Sequence, residues 1–452
     1  MSDQVGATRP AATVRFEGAE CSDRLAPAVS DLPRVVRVRQ RPRGPVVADV
    51  AGEVTAGLAA LDLGSRVRPG DSVALTGGSR GLTDGVVALR AVADHLRTLR
   101  AEPFLVPAMG SHGGGTAEGQ EAVLAGYGMT EAALGCPVRA SMDVVEVGRS
   151  ALGFPLWQDR LAAEADHVVV LNRVKPHTMF TGRHESGLVK MLLLGLGKQD
   201  GAAILHRAAV DHGWEAVVAE AAPRVLAATR VLCGVALVER SDERTARVAV
   251  LAPDRWMDDE PDLLDDARRW MPRLPFDDID LLLLDRIGKD ISGTGLDVNV
   301  VGRKAVAHPL ASDGPGGVRL IAVRGLTPET RGNAAGIGLA ELARSRVLRQ
   351  MDVAATRLNA LTAGRVAGAM IPLDHETDRE LLATAQGMTG LRPPSALRLV
   401  WARSTLDLAE TRCSAALVAE AAPRDDLEVV GTPHDLPLDA AGNLPDDLPL
   451  GA

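Results

Sequence analysis

From Arg68 onward the chain alternates short apolar runs, Gly-punctuated turns and longer mixed stretches. Residues 71–75 read as a buried strand, followed by Thr76-Gly-Gly-Ser-Arg-Gly81 and a helical run over 83–99. Residues 104–107 form the next strand, 110–115 a second Gly-rich turn, and a helix starts at Thr116, a good N-cap residue. A third apolar strand over 166–171 runs into Lys175-Pro176-His177. Strand, Gly-rich turn and helix in repetition predict a parallel sheet with crossover helices. Ligands of such sheets gather beyond the carboxyl ends of the strands. All three loops occupy such ends, so they are expected to converge on one cleft.

The pattern extends in both directions. Residues 1–30 read as a loose arm, with 12–16 as an edge strand, and 46–61 as a helix. A helical run over 214–226, broken at Pro223, precedes strands over 232–238 and 246–251. Residues 254–275 are charged and punctuated by Trp and Pro, and read as a bridge between two units. A second α/β unit opens with the strand 280–285 and the loop 288–299. Strands over 318–323 and 369–372 follow, with helices over 337–344, 352–362 and 377–384. At 452 residues the chain exceeds one ordinary core. The expectation is an α/β fold of two α/β domains with the active-site cleft between them: 1–272, 273–432, and a disordered tail over 433–452.

Composition narrows the function. Apolar residues make up 46% and charged residues 24%, as in soluble globular proteins. The net charge of −9 and the scarcity of rings, with one Tyr and five each of Trp and Phe, argue against nucleic-acid binding. No apolar run has the length of a membrane span, and no secretory signal is evident. The four cysteines lie far apart with no CxxC pair, so neither a disulfide framework nor a Cys-based zinc site is expected. A cytoplasmic location is the default expectation.

Candidate chemistry collects in the first unit. Ser111-His-Gly-Gly-Gly-Thr116 offers backbone N–H groups at a helix start, which suits phosphate or carboxylate. Arg80, in the earlier turn, can clamp a carboxylate through two parallel hydrogen bonds. Arg173, Lys175, Arg183 and Lys198 crowd cations around His177. His184 is expected at the surface, and Glu185 is either a ligand or surface. Lys190 heads the apolar run Met191-Leu-Leu-Leu194, where lost solvation lowers an amine's pKa and makes it nucleophilic. His206 stands sixteen positions further on. Each of these alone has an ordinary reading as a solvated turn, a snorkelling lysine or a surface histidine. A zinc site on His112, His177 and His206 is a weak alternative, because their spacing matches no zinc signature.

In this order, Arg80, His112, Pro176-His177, Gly187 to Lys190 and His206, the chain resembles the nickel-dependent lactate racemase family. The resemblance spans roughly 67–377 and is strongest over 167–206. It implies nickel held in a pyridinium-3,5-bisthiocarboxylic acid mononucleotide-type pincer, covalent on Lys190, with His206 completing the nickel's coordination. His112 and His177 would be the paired acid/base groups, and Arg80 would bind the substrate carboxylate. Ser111, Gly113, Gly114, Ser186 and Gly187 would cradle the cofactor. Lys289, Asp297 and Asn299 stand where the family contacts its substrate. The implied activity is racemisation or epimerisation of a small-molecule 2-hydroxy acid, with cofactor-synthesis enzymes as partners. Three departures point away from lactate: a longer gap between His177 and Lys190, no acidic residue three positions before Arg80, and a Gly-rich loop over 289–299. The alternatives are a dehydratase or redox reaction on the same cofactor, and a non-catalytic cofactor-binding protein.

Overall fold

The computed structural model describes residues 32–304, 317–362, 365–390 and 392–448. The strand expected over 12–16 lies outside them. In chain order the strands are β1 (Val35–Gln40), β2 (Ser72–Gly77), β3 (Glu102–Pro107), β4 (Val144–Arg149), β5 (Pro155–Asp159), β6 (His167–Arg173), β7 (Val231–Glu239), β8 (Thr245–Leu251), β9 (Asp278–Leu284), β10 (Gly317–Val323), β11 (Leu342–Arg344), β12 (Leu373–His375), β13 (Leu399–Ala402), β14 (Glu410–Ser414) and β15 (Leu427–His434). They form a mixed α/β fold.

One sheet has the order β3-β2-β6-β7-β8, parallel except for the antiparallel β7–β8 pair. Its strands are apolar on both faces. Ala74, Val106, Val168, Val170 and Ala236 enter one core cluster. Their neighbours Val73, Leu75, Leu105, Val169 and Val235 enter another. A period of two on each side, with helices covering both, is what buries a parallel sheet. The second sheet has the order β12-β11-β10-β9-β13-β14-β1-β15. Its centre, β9 to β12 with β13, is parallel, whereas β14, β1 and β15 are antiparallel.

Several elements differ from the pattern-based reading. β1, near the start of the chain, pairs with β14 and β15 rather than with the sheet that follows it in sequence. The segment expected as a tail instead packs Leu436, Leu444 and Leu448 against Leu281, Leu283 and Trp401, and the Leu448 N–H donates to Asp285 at 2.7 Å. Its Asp and Pro content masked three apolar anchors. The run over 254–275 is the helix Trp256–Trp270. Residues 337–344 form a short turn and then β11, and 369–372 precede β12 rather than forming it. The helix Trp214–Ala228 continues through Pro223. The hairpin β4–β5 and strands β13 to β15 carried no pattern strong enough to anticipate.

Candidate active site

The three loops do leave the carboxyl ends of neighbouring parallel strands: 78–80 after β2, 108–115 after β3 and 174–177 after β6. After β3 the chain turns tightly, with φ of +60°, +67°, +71° and +68° at Gly110, Gly113, Gly114 and Gly115. Only glycine adopts this region freely. A Cβ on Gly113 would lie 2.5 Å from the Gly119 backbone. Thr116 caps the helix Ala117–Gly126 by accepting the Gly119 N–H at 3.1 Å. Ser111 is exposed beside this turn. His112 Nδ1 lies 2.7 Å from the Met109 carbonyl.

The Lys190 segment is short and irregular. A single turn, Leu188–Lys190, passes into a wide π turn over Met191–Gly195, with the Leu196 N–H bonded to the Met191 carbonyl. Such wide turns recur at functional positions. Glu260 reaches in from the helix Trp256–Trp270 and accepts the N–H groups of Val189, at 3.0 Å, and Leu188. A Cβ on Gly187 would sit 2.5 Å from the Glu260 carboxyl carbon, so a side chain here would displace that carboxylate. Ser186 is tied through its backbone to Lys175. Lys190 makes no hydrogen bond or ion pair with the described residues. Its side chain is partly open, yet burial of the amine, with Lys175 and Arg80 adding repulsion, lowers its pKa to about 7.

His177 is held from every side. Its N–H donates to Glu185 at 2.7 Å, and its Nδ1 accepts the N–H groups of Met179 at 3.1 Å and Phe180 at 3.0 Å. Its ring stacks on Phe180 at 4.5 Å, and Phe180 stacks on Trp214 at 4.0 Å. Phe180 also lies 5.3 Å from His206, which sits within the helix Lys198–His212. Loss of solvation and the charges of Lys190, His206, Lys304 and Lys175 hold His177 well below the usual imidazole range. Partial burial and Lys190 lower His206. Lost solvation lowers His112, opposed by the Met109 carbonyl and reinforced by Arg80, Lys190 and Lys289. The Lys190 charge therefore acts on all three histidines.

Loops of the second sheet complete the surroundings. Arg80 Nη1 donates to the Lys289 carbonyl at 3.3 Å. Lys289 donates its amine to Gly293 O at 2.5 Å, and burial and Arg80 lower its pKa to about 8. Asn299 Nδ2 reaches the His177 carbonyl at 3.4 Å and Asp297 at 3.0 Å, so its amide braces the His177 loop. Asp297 offsets part of the burial and Arg173 repulsion that lower Lys175 to about 8. Arg365 bridges the carbonyls of Thr178 and Lys304.

Three expectations are corrected. His184 is buried, not at the surface. Pro261 has no N–H for the Met257 carbonyl, and His184 Nε2 lies 3.1 Å from that oxygen instead. Glu185 is likewise buried, between Arg268 at 2.9 Å and Lys304. Of the cations expected around His177, only Lys175 faces it. Arg173 pairs with Glu239, Arg183 is exposed, and Lys198 is fully buried against Asp159, Gln120 and the Pro107 carbonyl. Among the described residues, no group of three or more His, Cys, Asp or Glu is placed to hold a metal ion, so the three histidines do not assemble a zinc site. No described helix is long and apolar enough to cross a membrane. The described cysteines, Cys136, Cys233 and Cys413, are free and buried.

The class defined by this arrangement is an α/β protein with a partly open, unpaired lysine and three histidines around strand-end loops. Residues 74–217, from β2 into the helix beyond His206, match the family model described as the lactate racemase N-terminal domain, and over that span the chain is lactate racemase-like. The structure of the lactate racemase apoprotein from Thermoanaerobacterium thermosaccharolyticum is 12% identical, with 91% of this chain and 98% of that chain covered and a TM-score of 0.47. No curated protein matches in sequence.

Proposed function

We propose that this chain is a racemase or epimerase of a 2-hydroxy acid other than lactate, working with a nickel pincer nucleotide carried on Lys190. The observation that carries this reading is the Lys190 amine: unpaired among the described residues, with its pKa lowered to about 7 and its charge reaching His206. A neutral amine is the nucleophile a covalent tether requires. Imidazole with soft sulfur donors suits nickel, so the residues present fit the group, with Lys190 as tether and His206 as the one protein ligand. When bound, the group supplies a hydride acceptor.

The chain's own residues would do the rest. Arg80, whose charge acts on both Lys175 and Lys289, would form with them a cationic wall for the substrate carboxylate. His112 and His177 would engage the hydroxyl group, with proton transfer to and from it as that carbon is oxidised and reduced. Positioned proton transfer contributes roughly a hundred- to ten-thousand-fold in rate. The Gly-rich turn 110–115 and the Ser186–Gly187 backbone would line the cofactor. Division into domains at about 272 and a cytoplasmic location belong to the same proposal.

The test is co-expression with the cofactor-synthesis enzymes, followed by intact mass, nickel content and isomerisation of a hydroxy-acid panel. The expected result is a mass increment on Lys190, nickel bound, and substrate deuterium returned to the same carbon. Lys190→Ala loses the increment, whereas His206→Ala keeps it and loses nickel. An unmodified Lys190 in nickel-free wild-type protein overturns the proposal, and turnover of lactate alone overturns the substrate class.

A further inference from the structure

His112 and His177 are held by their δ nitrogens in opposite senses. The partner of His112 Nδ1 is the Met109 carbonyl at 2.7 Å, which can only accept, so Nδ1 must carry the proton. The partners of His177 Nδ1 are the backbone N–H groups of Met179 and Phe180, at 3.1 and 3.0 Å, which can only donate. Nδ1 of His177 must therefore be bare. These partners are main-chain groups, whose donor and acceptor character does not depend on any assigned hydrogen.

We infer that the two histidines are locked in opposite tautomers: His112 offers a bare Nε2 and is the base, whereas His177 offers an Nε2–H and is a fixed hydrogen-bond donor to substrate oxygen. The distinction rests on the proposed function for its meaning, but not for its geometry. A proton on His177 Nδ1 would break two backbone hydrogen bonds at once and set N–H against N–H. The surroundings oppose such a rearrangement. The ring is stacked on Phe180, the His177 N–H is anchored by Glu185, and its carbonyl is braced by Asn299. The nearby charges of Lys190, Lys304 and Lys175 oppose an imidazolium, and the adjacent carboxylate, Glu185, is already paired with Arg268 and Lys304. A neutral imidazole with Nε2–H polarises a carbonyl or alkoxide oxygen without accepting a proton. The two faces of the reacting carbon would thus meet unlike groups, rather than a symmetric pair of bases.

The experiment uses full-length, cofactor-free protein labelled with 15N-histidine, and long-range 1H–15N correlation at pH 7.5. His112 and His177 are assigned by the resonances that vanish in His112→Gln and His177→Asn. The Asn can keep a side-chain acceptor for the Met179 and Phe180 N–H groups. His112→Asn and His177→Gln serve as replacements should either variant fail to fold. The expected result is a pyridine-like Nδ1 and pyrrole-like Nε2 for His177, with the reverse for His112. A pyrrole-like Nδ1 on His177, the same tautomer on both rings, or averaged shifts at either would overturn the inference. Because no cofactor is present, failure here is separate from failure of the proposed function, which loading of Lys190 decides.

Discussion

Replacing Lys190 by Met tests the central feature of the site without any cofactor. Burial, Lys175 and Arg80 lower the amine from 10.5 to about 7. At pH 7 roughly half of such an amine is neutral, against about three in ten thousand for an ordinary lysine. The linkage sign follows. Between pH 7 and 10.5 the unfolded chain holds a proton that the native chain has released, so stability rises with pH across that window. Below pH 7 both states are protonated, and the native state bears the full cost of a desolvated charge. The difference corresponds to roughly 5 kcal/mol at pH 6 and about 2 kcal/mol at pH 9, both upper bounds because water entry relaxes the site. Lys190→Met removes that cost while keeping an apolar stem of similar length. Urea unfolding of the apoprotein should therefore find the variant more stable than wild type at pH 6, with the gap shrinking by pH 9. Competitive acylation of the wild type, read by peptide mass spectrometry, should give a Lys190 midpoint near 7. A variant no more stable than wild type at pH 6, a gap independent of pH, or a midpoint near 10.5 would refute the reasoning.

Other outcomes follow from the surrounding structure. Burial raises the Glu260 carboxyl to about 7, against the pull of the Val189 and Leu188 N–H groups. Its charged form is therefore costly, and Glu260→Gln should gain stability relative to wild type as pH rises from 4.5 to 7, while Glu260→Val should lose about 1–3 kcal/mol for each N–H left unmet; urea unfolding against pH checks both. Lys198 and Asp159 are fully buried and 2.9 Å apart, so Lys198→Met alone should cost about 3–5 kcal/mol in chemical denaturation, and Lys198→Met with Asp159→Asn should recover much of it. At Gly114, where a Cβ meets open space, alanine should cost about 1–2 kcal/mol through positive φ alone; Gly113→Ala, which also strikes the Gly119 backbone, should lower the thermal midpoint further.

The loops of the candidate site were legible because their signals are local. Apolar runs such as 71–75 and 166–171 mark strands, glycines mark the turns, and the carboxyl-end rule for parallel sheets assigns the loops to one side. What was not legible depends on partners distant in sequence. Nothing in residues 35–40 states that they will pair with residues 410–414 and 427–434. Counting cations near His177 along the chain gave four, but Arg173 and Lys198 are consumed by Glu239 and Asp159, carboxylates whose proximity only the fold creates. Asn299, expected where substrate is contacted, also reaches the His177 carbonyl, a contact that nothing local announces.

The helix Trp256–Trp270 shows where a stronger signal lay. Trp256, Leu263, Leu264 and Ala267 define its buried stripe, and Glu260 occupies the i+4 position of that same stripe. A carboxylate at a core-facing helical position is expensive unless something remote needs it. Here the need is the start of the Lys190 turn, whose first N–H groups have no partner within so short a helix. The next residue, Pro261, frees the Met257 carbonyl for His184, and Arg268, two turns on, holds Glu185, the anchor of the His177 N–H. Three contacts from one helix thus fix both the amine and the imidazole loop. The charged, proline-bearing composition that hid this helix from a pattern-based reading suits a wall bracing two irregular loops.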